Sequence, residues 1–260
     1  MKNTDETGRR ANPAPAKNST NTPKPISECL AGRTFAAAPD AEQRAAEFEA
    51  REQQRQRDEA LADLRETIGL RYRNASLDSF ELNPEHAEKQ RAVLAKLRSL
   101  AERLPAHVAA GENLVVFGPT GTGKDLLARA LLIEAARRFA ITSTVLDGPR
   151  LAQRFRDAMK SGCEESLVRS LVAPQILLLS DPATAAAGVS SHSLQNLFSV
   201  VDGRYVERRS VWTTLNVASR DDAKQLLGGA IFDRLSDNAI TAFCSWPSYR
   251  KTIGDQEAGQ

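Results

Sequence analysis

The chain has 260 residues, 26% of them charged and 41% apolar or aromatic, the balance of a protein that buries a core. Its 35 Lys and Arg against 33 Asp and Glu leave a net charge of only +2, so contact with a polyanion has to come from a local patch. The longest purely apolar run is one strand long, Ile176–Leu179 and its neighbours, far short of the roughly 20 residues of a membrane span. The opening MKNTDETGRR lacks the apolar core of a secretory signal. Three widely spaced cysteines, Cys29, Cys163 and Cys244, exclude a disulfide framework and a four-cysteine zinc site and fit a reducing cytoplasm.

Residues 1–25 contain no Val, Ile, Leu, Phe, Tyr or Trp but four prolines, Pro13, Pro15, Pro23 and Pro25. Such a stretch cannot offset its ordering entropy by burial, so residues 1–39 read as a disordered or weakly ordered tail. Within that tail the more apolar Ile26–Ala38 suits a short docking segment. Asp40, after Pro39, is placed to cap a helix that runs 26 residues without Gly or Pro. Acid–base pairs at helical spacing, such as Glu47–Arg51, recur along it, and apolar positions are sparse: Phe48, Leu61, Leu64 and Ile68. Residues 40–69 therefore read as a long, mostly solvated helix, either a charged spacer or a docking element for a partner. From residue 70 the texture is that of a globular domain extending to about residue 255.

Asn83-Pro84 opens a helix carrying Val93, Leu94, Leu97, Leu100 and Leu104, which Pro105 and Gly111 are expected to end. Short apolar strands then alternate with amphipathic helices. The strands are Leu114–Phe117, Ser143–Leu146, Ile176–Leu179, Val211–Leu215 and Ala239–Phe243. Between them lie helices Lys124–Phe139, Arg150–Lys160, Glu164–Val172, Ser191–Arg208 and Asp221–Leu227. This alternation predicts an α/β fold of three layers, a parallel five-stranded sheet with helices on both faces.

The first strand runs directly into GPTGTGKD, which fits the GxxxxGK part of a P-loop. Its glycines let backbone N–H groups surround phosphates at the amino end of the next helix. The candidate nucleotide-binding residues are Gly118, Pro119, Thr120, Gly121, Thr122, Gly123, Lys124, Asp125 and Leu126, with Lys124 supplying a point charge. Asp125 stands where the pattern has a Ser or Thr hydroxyl on Mg²⁺. A carboxylate there can hold the ion, or it can be a first-turn acid favoured by the helix dipole. The strand ILLLSDP ends in Asp181, the arrangement of a Walker-B acid, but the next residue is Pro182, which cannot accept a proton. A fourth strand ends in Asn216, followed by FDRL with Arg234 and WPSYRK with Arg250.

Taken in order, LRYRNASLDSF, the P-loop, LLLSDP, TTLN, FDRL and SYR make the chain from Leu70 to Ile253 resemble the DnaC/IstB group of AAA+ ATPases. These are bacterial helicase loaders and transposition helpers. The resemblance implies ATP and Mg²⁺ as cofactors, Lys124 on phosphate, Asp181 on the metal and Asn216 as sensor 1. It further implies Arg234 as an arginine finger reaching a neighbouring subunit's nucleotide, and Arg250 as a sensor-2-like arginine. Pro182 departs from the family's Asp or Glu, so hydrolysis is expected to be weak or dependent on partners. Only 17 residues follow Phe243, too few for a helical lid, so neighbouring molecules are expected to close the site. Contact with single-stranded DNA is implied for Arg150, Arg154, Phe155, Arg156, Lys160 and His192. A solvated arginine face with Phe155 in the core is the competing reading of those residues. The role expected first is ATP-dependent loading of a replicative helicase, which the N-terminal segment would hold. A transposition helper on duplex DNA and a non-hydrolysing scaffold stay open beside it.

Overall fold

The computed structural model of the chain describes residues 41–183 and 191–250. The expected tail, its docking segment Ile26–Ala38, Cys29 and the helix cap Asp40 lie outside the described residues. Contacts group the chain into two units, residues 1–45 and 46–260. Of the first, residues 41–45 are described, and they are helical.

Helix α1 covers Ala41–Thr67. Most of its length is exposed, Phe48 to 70%, as the sparse apolar pattern predicts. Its last turns behave differently: Ala60, Leu64 and Ile68 are buried in the core of the unit that follows. A boundary drawn at residue 70 therefore cuts through packed apolar surface. Two short 3₁₀ turns, Leu70–Tyr72 and Leu77–Ser79, lead onward, the second closed by a capping box of Ser76 and Ser79. A third 3₁₀ turn, Pro84–His86, capped by Asn83, precedes α2 (Ala87–Glu102). Pro105 does not end that helix. The chain breaks at Arg103, and α3 (Leu104–Ala109) starts afresh with Pro105 in its first turn, where a missing N–H costs nothing.

The α/β core then runs β1 (Asn113–Phe117), α4 (Lys124–Phe139), β2 (Ser143–Asp147), α5 (Gly148–Ser161), α6 (Glu164–Val172) and β3 (Ile176–Ser180). It continues with α7 (Ser191–Val206), β4 (Ser210–Leu215), α8 (Arg220–Leu227), α9 (Gly229–Ser236) and β5 (Ala239–Phe243). All four ladders are parallel, in the order β2-β3-β4-β1-β5. Central strands β1, β3 and β4 are buried throughout, as a parallel sheet covered on both faces requires. Alternate residues feed the two faces. Leu114 and Val116 join the cluster under α1 to α4, while Val115 and Phe117 join the one under α5 to α9. Every strand points its carboxyl end to one edge, where ligands of such sheets bind.

Two buried polar groups pin the opposite edge. Arg204 of α7, fully buried, donates to the carbonyls of Leu171, Val172, Pro174, Gln175 and Ser210, tying α6 to the starts of β3 and β4. Burial draws its pKa down to about 9, so it keeps its charge at neutral pH. Asn113 at the start of β1 accepts from the Val211 N–H and donates to the carbonyls of Arg234 and Asp237.

Candidate functional site

The turn from β1 into α4 lies at the carboxyl edge of the sheet, and its glycines are required by close approach. Gly118 has φ +146°, and a Cβ there would stand 2.4 Å from the Cys244 carbonyl oxygen. Gly121 and Gly123, with φ +85° and +89°, would place a Cβ 2.0 Å from Ser248 Oγ and 2.7 Å from the Phe80 ring. The loop is thus held between the segment before it in sequence and the one that ends the described chain. Tyr249 N–H donates to the Gly121 carbonyl at 2.9 Å, and Trp246 Nε1 to that of Thr122 at 2.9 Å. Phe80 meets Trp246 and Tyr249 edge to face, with centroids 6.1 and 5.6 Å apart. The Tyr249 hydroxyl donates to the Glu81 carbonyl and accepts from the buried Gln90 amide. Burial pushes the Cys244 thiol up to about 12, so this cysteine packs as an apolar group behind the loop.

A cleft of about 400 Å³ opens in front of the loop. Thr120, Gly121, Gly123, Lys124, Asp125 and Leu126 form one side of it, Asn216 and Arg250 another, and Arg71, Tyr72, Phe80 and Tyr249 a largely aromatic wall. The sequence reading brought the first two groups together by motif. The wall was visible only as part of the resemblance: Arg71, Tyr72 and Phe80 lie in LRYRNASLDSF and Tyr249 in SYR, and no spacing rule joins the two segments.

Lys124 is buried and its ammonium donates to the Pro119 carbonyl at 2.6 Å, inside the turn it would share with a phosphate. Burial lowers its pKa, against the pull of Asp125 and of Asp181. Asp181 follows β3 with φ +46°, and its N–H donates to the Thr214 carbonyl. This bend turns the carboxylate toward Asn216, whose amide donates to Asp181 Oδ2 at 2.7 Å. Burial raises the Asp181 pKa, and the Asn216 hydrogen bond opposes the shift. These two strand-end residues are thus in contact in the structure. Asp125 has a different neighbourhood from a hydroxyl on a metal. Its Oδ1 accepts from Ser180 Oγ at 2.6 Å, Thr214 Oγ1 at 2.9 Å and Arg129 Nη1 at 2.9 Å. Nothing in the motif pointed to Ser180, Thr214 or Arg129.

The cradle and its donors fit a nucleoside triphosphate: bare N–H groups at a helix amino end, a buried ammonium and an aromatic wall. Among the described residues no three His, Cys, Asp or Glu side chains converge. A Mg²⁺ ion would be held by Asp181 and by phosphate oxygens and water, the usual donor set for this ion, and would neutralise charge on the phosphates. Asp125 has only Oδ2 to offer it.

The remaining candidates lie elsewhere. Arg234 sits at the opposite edge of the sheet, where Asn113 binds its carbonyl. Its Nε donates to Asp202 at 2.7 Å and its guanidinium lies over Phe198 and Tyr205. Five residues of β1, at about 3.3 Å each, separate that end from the P-loop, so Arg234 faces away from its own cleft. On α5, Arg150, Arg154, Arg156 and Lys160 are exposed, and His192 is exposed with Nε2 3.0 Å from Met159 Sδ. Phe155 is a correction. At 3% exposure it is packed with Leu151 in the second core cluster, so its ring has no face for a base. Helical spacing put it on the apolar side of α5.

The family profile described as IstB-like ATP binding protein matches residues 35–256. The chain belongs to this family. An insertion-sequence IS1162 ATP-binding protein of Pseudomonas fluorescens is 31% identical over 163 residues, 60% of this chain and 64% of that protein. An insertion-sequence ATP-binding protein of Sinorhizobium fredii is 35% identical over 151 residues, 55% and 48% of the two chains. The matches thus span less than two-thirds of either relative. Among solved structures, the DnaC helicase loader superposes with a TM-score of 0.60 at 20% identity, covering 67% of this chain and 99% of that one. The replication initiator DnaA bound to AMPPCP and single-stranded DNA gives 0.52 at 16% identity, covering 68% and 50%. The IstB-like chain shares the P-loop AAA+ fold with both. None of its described helices is long and apolar enough to cross a membrane.

Proposed function

We propose that this chain is a cytoplasmic ATP-binding protein that assembles with copies of itself and assists an insertion-sequence transposase on DNA. One observation carries the nucleotide part: the P-loop with Lys124, Asn216 and Arg250, from three places in the sequence, line one cleft beside an aromatic wall. The insertion-sequence role is supported by the relatives, which bear that name at 31% and 35% identity. Helicase loading, the role expected first, draws only on the fold shared with DnaC.

Hydrolysis on this reading is slow. Pro182 follows Asp181, and the position has no carboxylate to orient an attacking water. Rate enhancement then falls to electrostatic stabilisation by Lys124, a metal on Asp181 and an arginine from a neighbouring copy. The exposed Arg150, Arg154, Arg156 and Lys160 offer a basic strip to a DNA backbone, which would make binding steeply salt-dependent.

Titration calorimetry of the full chain with ATP and Mg²⁺ tests the core of this reading. Saturable binding is expected for the native protein, and Lys124→Ala should weaken it by at least about 100-fold through loss of a buried charge on the phosphates. Absence of binding by the native protein would overturn the proposal. Turnover stimulated by duplex DNA supports the transposition role, whereas stable capture by a replicative helicase would replace it with loading.

A further inference from the structure

We propose that Asp125 and Arg129 act as one unit in which the arginine is a positioning residue for the nucleotide cleft. The carboxylate fastens the P-loop helix to the strand ends, and Arg129 cancels its charge while seating Tyr72 in the aromatic wall. This inference rests on the nucleotide-binding reading above.

The geometry is set by the sheet. Ser180 at the end of β3 and Thr214 near the end of β4 are register partners, so their hydroxyls stand side by side at the carboxyl edge. Both donate to the same oxygen, Asp125 Oδ1. Asp125 lies in the first turn of α4, and Arg129 is one turn further along the same face, the spacing at which an acid and a base meet. Arg129 Nη1 donates to that oxygen too, and its side chain is only 8% exposed. The guanidinium carbon lies 4.3 Å from the centroid of the Tyr72 ring, which lines the cleft.

A single side chain therefore touches both the phosphate end of the cleft and its aromatic wall. It does so at a cost, since Arg129 Nε is buried and has no hydrogen-bond partner. Here its orientation is dictated by the carboxylate on one side and the ring on the other. Electrostatics agree with the geometry. Burial opposes ionisation of Asp125, yet the Ser180 hydrogen bond, the Arg129 charge and the Thr214 hydrogen bond together hold its carboxyl below the usual range. A carboxylate beside the phosphates is a repulsive arrangement unless a cation stays with it, and Arg129 Nη1 stands 2.9 Å from Oδ1. A hydroxyl at 125 would carry no such charge and need no such partner.

The test is a double-mutant cycle in the full chain: native, Arg129→Met, Asp125→Thr and the double variant. Two quantities are read at a temperature where all are folded, the affinity for ATP with Mg²⁺ and the Tm without ligand. Arg129→Met should weaken ATP about 10-fold in the native background, and less than about 3-fold when Thr stands at 125. Asp125→Thr alone strands a buried cation, so adding Arg129→Met to it should raise the Tm rather than lower it. Equal fold-losses of affinity in both backgrounds, or a Tm lowered equally in both, would show that the two residues are independent and overturn the inference. Should Arg129→Met alone not fold, the Tm of Asp125→Thr against that of the double variant still decides it. Should the native protein bind no ATP, the nucleotide reading fails by itself, while the Tm cycle continues to report whether the pair is coupled.

Discussion

Gly118 shows how little freedom the loop has at single positions. Its φ of +146° is foreign to residues with a side chain, and an added Cβ would meet the Cys244 carbonyl oxygen at 2.4 Å. That obstacle is backbone, fixed because Cys244 N–H donates to the Phe117 carbonyl beside it. Gly118→Ala should therefore lower stability by about 2–4 kcal/mol, through strain and overpacking together. Urea denaturation gives the value, and a loss below about 1 kcal/mol would mean the contact relaxes more easily than packed backbone should. Residues such as Gly118, Lys124, Asp181 and Asn216 were legible in the sequence because each sits at a fixed offset from a strand end. Ser180, Thr214 and Arg129 were not, since the register that aligns the two hydroxyls is a property of the assembled sheet. Phe155 had two readings, a ring for stacking a base and a core residue at helical spacing from Leu151, and its burial decides for the second.

Elements were legible where burial imposes a period. The five strands agree with the expected ranges to within a residue at either end; β1, β3 and β4 are buried throughout, while edge strands β2 and β5 are partly exposed. Helix α9 was missed, since eight residues opening on Gly228-Gly229 look like a turn. Pro105 was read as a stop when it is a start, an ambiguity that one sequence cannot lift. Helix α1 divides along its length, and that division can be measured. Leu64 is fully buried, and Thr67 nearby accepts the Val145 N–H of edge strand β2. Phe48, on the same helix, has 70% of its surface in solvent. Leu64→Ala should cost about 3 kcal/mol by leaving a cavity, whereas Phe48→Ala should stay within about 0.5 kcal/mol. Similar costs for the two in chemical denaturation would show that the exposed end of α1 is packed against something in solution.

At the scale of the molecule, the two arginines expected at a nucleotide stand on opposite edges of one sheet. Arg250 lines the cleft with Lys124, while the carbonyl of Arg234 is bound by Asn113 at the far end of β1. No rotation of a side chain spans the strand between them, so any action of Arg234 on phosphate has to be on another copy's cleft. Such an action also has to draw Arg234 away from Asp202, Phe198 and Tyr205, an exchange that a triphosphate, with more charge than one carboxylate, can drive. This arrangement makes a distinctive forecast. Lys124→Ala and Arg234→Ala should each lose most ATP turnover when assayed alone, one for want of phosphate binding and the other for want of the arginine. Mixed in equal amounts, they should recover a measurable fraction of native turnover. In the mixture some clefts carry an intact Lys124 and face an intact Arg234 supplied by the other variant. Recovery should grow with protein concentration, because it depends on association. Turnover by Arg234→Ala equal to the native rate, or a mixture no more active than its parts at any concentration, would confine the chemistry to a single chain.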